Sequence, residues 1–85
     1  MTVEREIDLH TFRADECADV VDEYVRAARE AGLREVRIIH GKGTGTLRRT
    51  VHAVLERSAH VACFRPADEN WGATIVELRA DRGDE

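Results

Sequence analysis

The alternation of apolar and polar positions divides the chain into six elements. From Glu4 to His10, Ile7 and Leu9 alternate with Glu6, Asp8 and His10, the period of a short strand with one polar side. After Phe12, residues Cys17, Val20, Val21, Tyr24, Val25 and Ala28 recur at helical spacing, Asp19, Asp22, Glu23, Arg26 and Arg29 fill the opposite side, and Gly32 supplies a stop. Val36-Arg37-Ile38-Ile39 is short and β-branched, a largely buried strand ending at His40. A second amphipathic helix is marked by Leu47, Val51, Val54 and Leu55, with Arg48, Arg49, His52, Glu56 and Arg57 outward. Val61 to Phe64 predicts a third strand, Pro66 to Gly72 a loop, and Ala73 to Leu78 a fourth strand.

The order is therefore βαβαββ. Strand–helix–strand units imply parallel strands with right-handed crossovers, and the last two strands, joined by a loop, add an antiparallel pair. The expected architecture is a two-layer α/β (α+β) sandwich, a four-stranded mixed sheet with two helices on one face. Residues 1–80 make one domain and residues 81–85 a polar tail.

Composition narrows the class. Eighty-five residues with 42% hydrophobic and 35% charged content suit one small soluble domain, and a chain of this size buries roughly 60% of its unfolded surface. No apolar run is long enough to span a bilayer and the first residues lack signal-peptide character, so the expected location is the cytoplasm, with no membrane partner. Cys17 and Cys63 lie far apart on apolar-looking segments and read as small buried hydrophobes. The net charge of −4 argues mildly against nucleic acid, but charge is unevenly placed. Positions 34–49 carry net +4, whereas Asp15, Glu16, Asp19, Asp22 and Glu23 concentrate negative charge on the first helix.

Two constellations carry candidate chemistry. His40-Gly41-Lys42-Gly43-Thr44-Gly45 joins a buried strand to a helix start. Its glycines let backbone approach an oxyanion, the helix N–H groups favour a phosphate, and Lys42 adds a point charge. Taken alone, such a loop is equally well explained as a tight turn; His40 and Lys42 tilt it toward function. In Asp8-Leu9-His10, Asp8 can orient the imidazole and His10 can move a proton. Ligands of such sheets gather at the carboxyl ends of parallel strands, where both groups should lie. His52 and His60 read as structural, and no His, Cys, Asp and Glu spacing marks a zinc site. A magnesium ion held by Asp8 and substrate phosphate is compatible with the sequence.

Three blocks together resemble the Smr (small MutS-related) domain: Asp8-Leu9-His10, the stretch Ile38 to Arg48, and Trp71-Gly72-Ala73-Thr74-Ile75-Val76-Glu77-Leu78. They cover nearly the whole chain, in the family's order and spacing, and are similar to the family's stand-alone form. The resemblance implies a fold like the C-terminal domain of a translation initiation factor, binding of DNA or RNA, and endonuclease activity. It places the family's Asp-x-His pair on Asp8 and His10 and its His-Gly-x-Gly-x-Gly loop on His40, Gly41, Gly43 and Gly45. The chain departs from the pattern at Thr11, usually glycine, and at Glu69-Asn70, usually Gly-Gly.

The expected chemistry is hydrolysis of phosphodiester bonds. Its catalytic residues would be Asp8, His10 and His40, and its phosphate or base contacts Gly41, Lys42, Gly43, Thr44, Gly45, Arg48, Trp71 and Gly72. A binding module without catalysis and an enzyme acting on a small phosphorylated metabolite are the alternatives. Oligomeric state is left open by the sequence.

Overall fold

The computed structural model describes residues 3–41, 45–67 and 72–79. Strand β1 spans Glu6–Asp8, β2 Glu35–Ile39, β3 Val61–Pro66 and β4 Ala73–Leu78; helices α1 and α2 span Cys17–Glu30 and Thr46–Arg57. The βαβαββ order and the mixed four-stranded sheet expected from the sequence are both present. Spatially the strands run β1-β2-β4-β3, with β1 and β2 parallel and β4 antiparallel to both of its neighbours. Thus β2 and β3, linked by α2, point the same way with β4 inserted between them.

The sheet is apolar on one side. Val36 and Ile38 of β2 and Val76 and Leu78 of β4 form one cluster with Val21, Val25 and Ala28 of α1 and Val51, Val54 and Leu55 of α2. On the other side, Arg65 pairs with Glu77 at 2.6 Å and with Glu35 at 3.7 Å, as cross-strand neighbours can on a solvated face. Both helices therefore cover the same face, and the register of every strand is fixed by which parity it buries.

Four expectations are corrected. The first strand stops at Asp8 and does not run to His10, because the Asp8 side chain accepts the His10 backbone N–H and closes a 3-10 turn over Leu9–Thr11. Cys17 is buried but Cys63 is exposed: it stands opposite Glu77, whose side of the sheet faces away from the helices. Pro66, assigned to the loop, closes β3 opposite Thr74. His52, assigned to the outer side of α2, is half-buried and packs on Phe64 with ring centroids 4.9 Å apart.

The turn after β1 depends on one apolar anchor. Leu9 is fully buried between two exposed polar residues, so the side chain that holds the turn to the core is also the link between Asp8 and His10. Leu9→Ala should cost about 2–5 kcal/mol of stability in urea denaturation, the range for a buried leucine truncated to a cavity. A loss within about 0.5 kcal/mol, as for a surface substitution, would show that the turn is not anchored there.

Candidate functional site

The carboxyl ends of β1 and β2 and the start of β4 meet on one rung, where Asp8 pairs with Ile39 and Ile39 with Ala73. Beyond that rung the Gly72 carbonyl accepts two backbone N–H groups, from His40 and from Gly41, each at 2.8 Å. One oxygen atom therefore ties the start of the glycine loop to the turn that precedes β4.

Asp8 and His10 form a local chelate. Oδ1 of Asp8 accepts the His10 backbone N–H at 2.9 Å and lies 2.7 Å from His10 Nδ1. Nδ1 faces an oxygen that can only accept, so it carries the proton, and in the neutral ring Nε2 is left with its lone pair. The Asp8 carboxyl titrates below its ordinary 3.8, first because of the backbone N–H and then because of the ring. Both side chains are largely exposed, at 53% and 68%, and so are open to a large substrate.

The His10 ring lies against the glycine loop. A Cβ placed on Gly41 would sit 3.5 Å from His10 Nε2 and 3.6 Å from Cε1, and Gly41 has φ of +80°, a conformation that other residues adopt only with strain. The two sequence constellations, 30 residues apart in the chain, are thus one site. At its far side Gly45, with φ of +86°, precedes the first turn of α2, which has no side-chain cap and no acidic residue. The positive end of the α2 dipole therefore faces this edge with no carboxylate in the first turn to offset it.

His40 lies beneath this edge, only 5% exposed. Its Nδ1 is 3.1 Å from the Gly41 carbonyl oxygen and its Nε2 is 2.9 Å from Thr74 Oγ1. The expectation that His40 is a second acid or base, or a direct phosphate contact, thus meets a ring whose two nitrogens are both engaged within the protein. Thr74 Oγ1 is also 3.1 Å from His52 Nε2, and the two imidazoles stand edge to face with centroids 6.3 Å apart. Burial lowers the pKa of His40, reinforced by the positive charge of Arg48 and opposed by the Gly41 carbonyl; burial followed by Arg48 and His40 does the same to His52. Both rings are therefore neutral at pH 7.

Of the remaining expected contacts, Arg48 sits in the first turn of α2, close enough to depress both histidines, and Gly72 is buried in the β4 turn. Lys42, Gly43, Thr44 and Trp71 lie outside the described residues, as do Glu69 and Asn70. Thr11, at the first departure, is exposed in the 3-10 turn. Among the described residues no three His, Cys, Asp or Glu side chains gather as a metal-binding group. His60 Nδ1 lies 3.1 Å from Arg29 Nη1, away from this edge. Sequence reading missed Thr74 and His52; the signal for Thr74 was a hydroxyl at the same strand parity as Val76 and Leu78.

A two-layer α/β domain with an Asp-x-His chelate and a glycine loop at one sheet edge defines a recognisable class. The Smr domain family model matches residues 7–79, and the chain belongs to that family. It is 42% identical over 81 residues to Endonuclease MutS2 of Clostridium tetani and 45% identical over 78 residues to Endonuclease MutS2 of Ruminiclostridium cellulolyticum. These alignments cover 92% and 87% of this chain, which spans only 10% of the length of each relative. The crystal structure of the Smr domain of Thermus thermophilus MutS2 superposes with a TM-score of 0.83 at 37% identity, covering 89% of this chain and 99% of that one. YdaL, a stand-alone small MutS-related protein from Escherichia coli, superposes with a TM-score of 0.80 at 30% identity, covering 88% of this chain and 64% of that one.

The chelate makes a pH prediction. A lowered carboxyl pKa means that the Asp8 interaction stabilises the fold above the ordinary 3.8 and is lost as pH falls through the lower folded value. In a carbon-13 carboxyl titration Asp8 should therefore titrate below 3.8, and in His10→Ala it should rise yet stay below 3.8, because alanine keeps the backbone donor. Full return to the ordinary value in His10→Ala would show that the ring alone holds the carboxylate.

Proposed function

We propose that this domain binds the phosphodiester backbone of DNA or RNA across the edge formed by Asp8, His10, the glycine loop and the α2 N-terminus, and hydrolyses it. The carrying observation is the position of His10 Nε2, 3.5 Å from where a Cβ on Gly41 would stand, which brings a proton acceptor beside a loop suited to phosphate. Its similarity to proteins named as MutS2 endonucleases supports the same reading.

In this mechanism a hydroxyl, from water or from a ribose 2′ position, attacks phosphorus and gives its proton to His10 Nε2. The new P–O bond forms as the bond to the leaving oxygen breaks; that oxygen takes a proton from solvent, and the imidazolium of His10 returns its own to solvent. Asp8 keeps the ring oriented with Nδ1–H toward itself and balances the imidazolium. Charge developing on the phosphoryl oxygens is met by α2 amide groups, with Lys42 and Arg48 as the cationic partners. Gly43 and Thr44 complete the phosphate loop, and Trp71 offers an aromatic face for a base beside Gly72. His40 supports the loop from below. No helix among the described residues is long and apolar enough to cross a membrane; a cytoplasmic location is part of the same proposal.

One observation favours a second reading, a phosphate-binding module without catalysis: His10 is the single histidine on this edge with an exposed ring, so the described residues present one proton-transfer imidazole and not a pair.

The test is cleavage of supercoiled plasmid, branched DNA and structured RNA, with magnesium and with chelator, by wild type and by the Asp8→Ala/His10→Ala variant. The expected result is product from wild type and a rate about 10²- to 10⁴-fold lower in the variant, the usual contribution of proton-transfer catalysis. No variant-sensitive product on any substrate, with binding that weakens steeply as salt rises, would establish the non-catalytic module.

A further inference from the structure

The hydrogen bonds beneath the site have a direction. A carbonyl oxygen only accepts, so His40 Nδ1, facing the Gly41 carbonyl at 3.1 Å, carries a proton. The neutral ring then has an accepting Nε2, 2.9 Å from Thr74 Oγ1, and the Thr74 hydroxyl must donate to it. That leaves the Thr74 lone pairs for His52, whose Nε2 lies 3.1 Å away and must be the donor. The sequence His52 Nε2–H to Thr74 O–H to His40 Nδ1–H to the Gly41 carbonyl is consistent at every link with a neutral His40 protonated on Nδ1 and a His52 protonated on Nε2. Thr74 is fully buried and His40 nearly so, so water cannot replace these partners without cost.

We propose that His52 and Thr74 are positioning residues for the substrate phosphate. They act through His40 to fix the Gly41 carbonyl toward the core. With its carbonyl held from below by His40 and its own N–H given to the Gly72 carbonyl, Gly41 keeps in one place the start of the loop beside which the His10 ring lies. The chain also ends at the glycine beside the His10 ring, so the proton acceptor and the start of the glycine loop are held by one network. The inference rests on the reading that this edge engages phosphate. The choice of threonine follows: valine would fill the same volume in a buried β-strand position but would leave two imidazole nitrogens unpaired.

Long-range proton–nitrogen correlation spectra of the wild-type imidazoles at pH 7.5 read the tautomers directly and require no cleavage. His40 should carry its proton on Nδ1 and His52 on Nε2; a His40 proton on Nε2 would overturn the proposal. Thr74→Val should lose this tautomer pattern, and Thr74→Ser should restore it. In cleavage, Thr74→Val should lower kcat roughly 10- to 100-fold, the scale set by small misplacements of reacting groups, with KM changed less than about threefold. His52→Leu, on a half-buried position, makes the same measurement if Thr74→Val does not fold. Correct tautomers together with wild-type kcat in a folded variant would overturn it too. If wild type cuts nothing, so that the nuclease reading fails, affinity for a short single-stranded oligonucleotide is read instead. Thr74→Val should then weaken binding about tenfold with Thr74→Ser near wild type, and equal affinity of all three would overturn the proposal separately.

Discussion

Two backbone N–H groups share the Gly72 carbonyl at the end of the sheet, and the site depends on that junction. It fixes where the glycine loop leaves β2. The loop in turn decides whether the His10 ring meets bare backbone or empty solvent. Because β4 is inserted between β2 and β3, the turn before β4 reaches the same edge as the carboxyl ends of β1 and β2. Three segments separated by roughly 30 residues each along the chain thus close on one another, and none of them could build the site alone.

The edge combines two kinds of polar group with different tasks. Asp8 and His10 are exposed and joined by short-range hydrogen bonds, so they can reach a large substrate. His40 and Thr74 are withdrawn from solvent and His52 is half-buried above them, so their hydrogen bonds are stronger than in water and a missing partner is costly. An overall charge of −4 is compatible with binding an anion because the acidic residues Asp15, Glu16, Asp19, Asp22 and Glu23 are exposed on or just before α1, and charges in water are screened within about 8 Å at physiological ionic strength. Arg48 and the α2 N-terminus, with no acidic residue in its first turn, are at the site itself.

Periodicity made the architecture legible. The amphipathic spacing of Val21, Val25 and Ala28, and of Val51, Val54 and Leu55, announced two helices that share one core with Val36 and Ile38. The Asp8–His10 pair was legible as a pair but not in its geometry: a two-residue spacing fits a strand side, whereas a carboxylate that accepts the N–H two residues on makes a turn. His52 sits among Arg48, Arg49, Glu56 and Arg57 in sequence and so resembled a solvated face; the Phe64 ring and the Thr74 hydroxyl beneath it reveal its inward role. Cys63 illustrates the reverse, an apolar-looking strand residue placed on the uncovered side of the sheet. The register shifts between Val61 and Cys63, so two residues at strand spacing fall on opposite faces, an irregularity that the four-residue pattern does not announce.

The central claim is that one sheet edge, built jointly by these segments, engages the nucleic-acid backbone. Amide chemical-shift mapping during titration with a short single-stranded oligonucleotide, at low and at high salt, tests it most directly. The account predicts salt-sensitive shifts confined to residues 8–11, 40–48 and 72–74, including the amides of His40 and Gly41. Shifts centred on the outer face of α1 or on β3, with those residues unmoved, would contradict it.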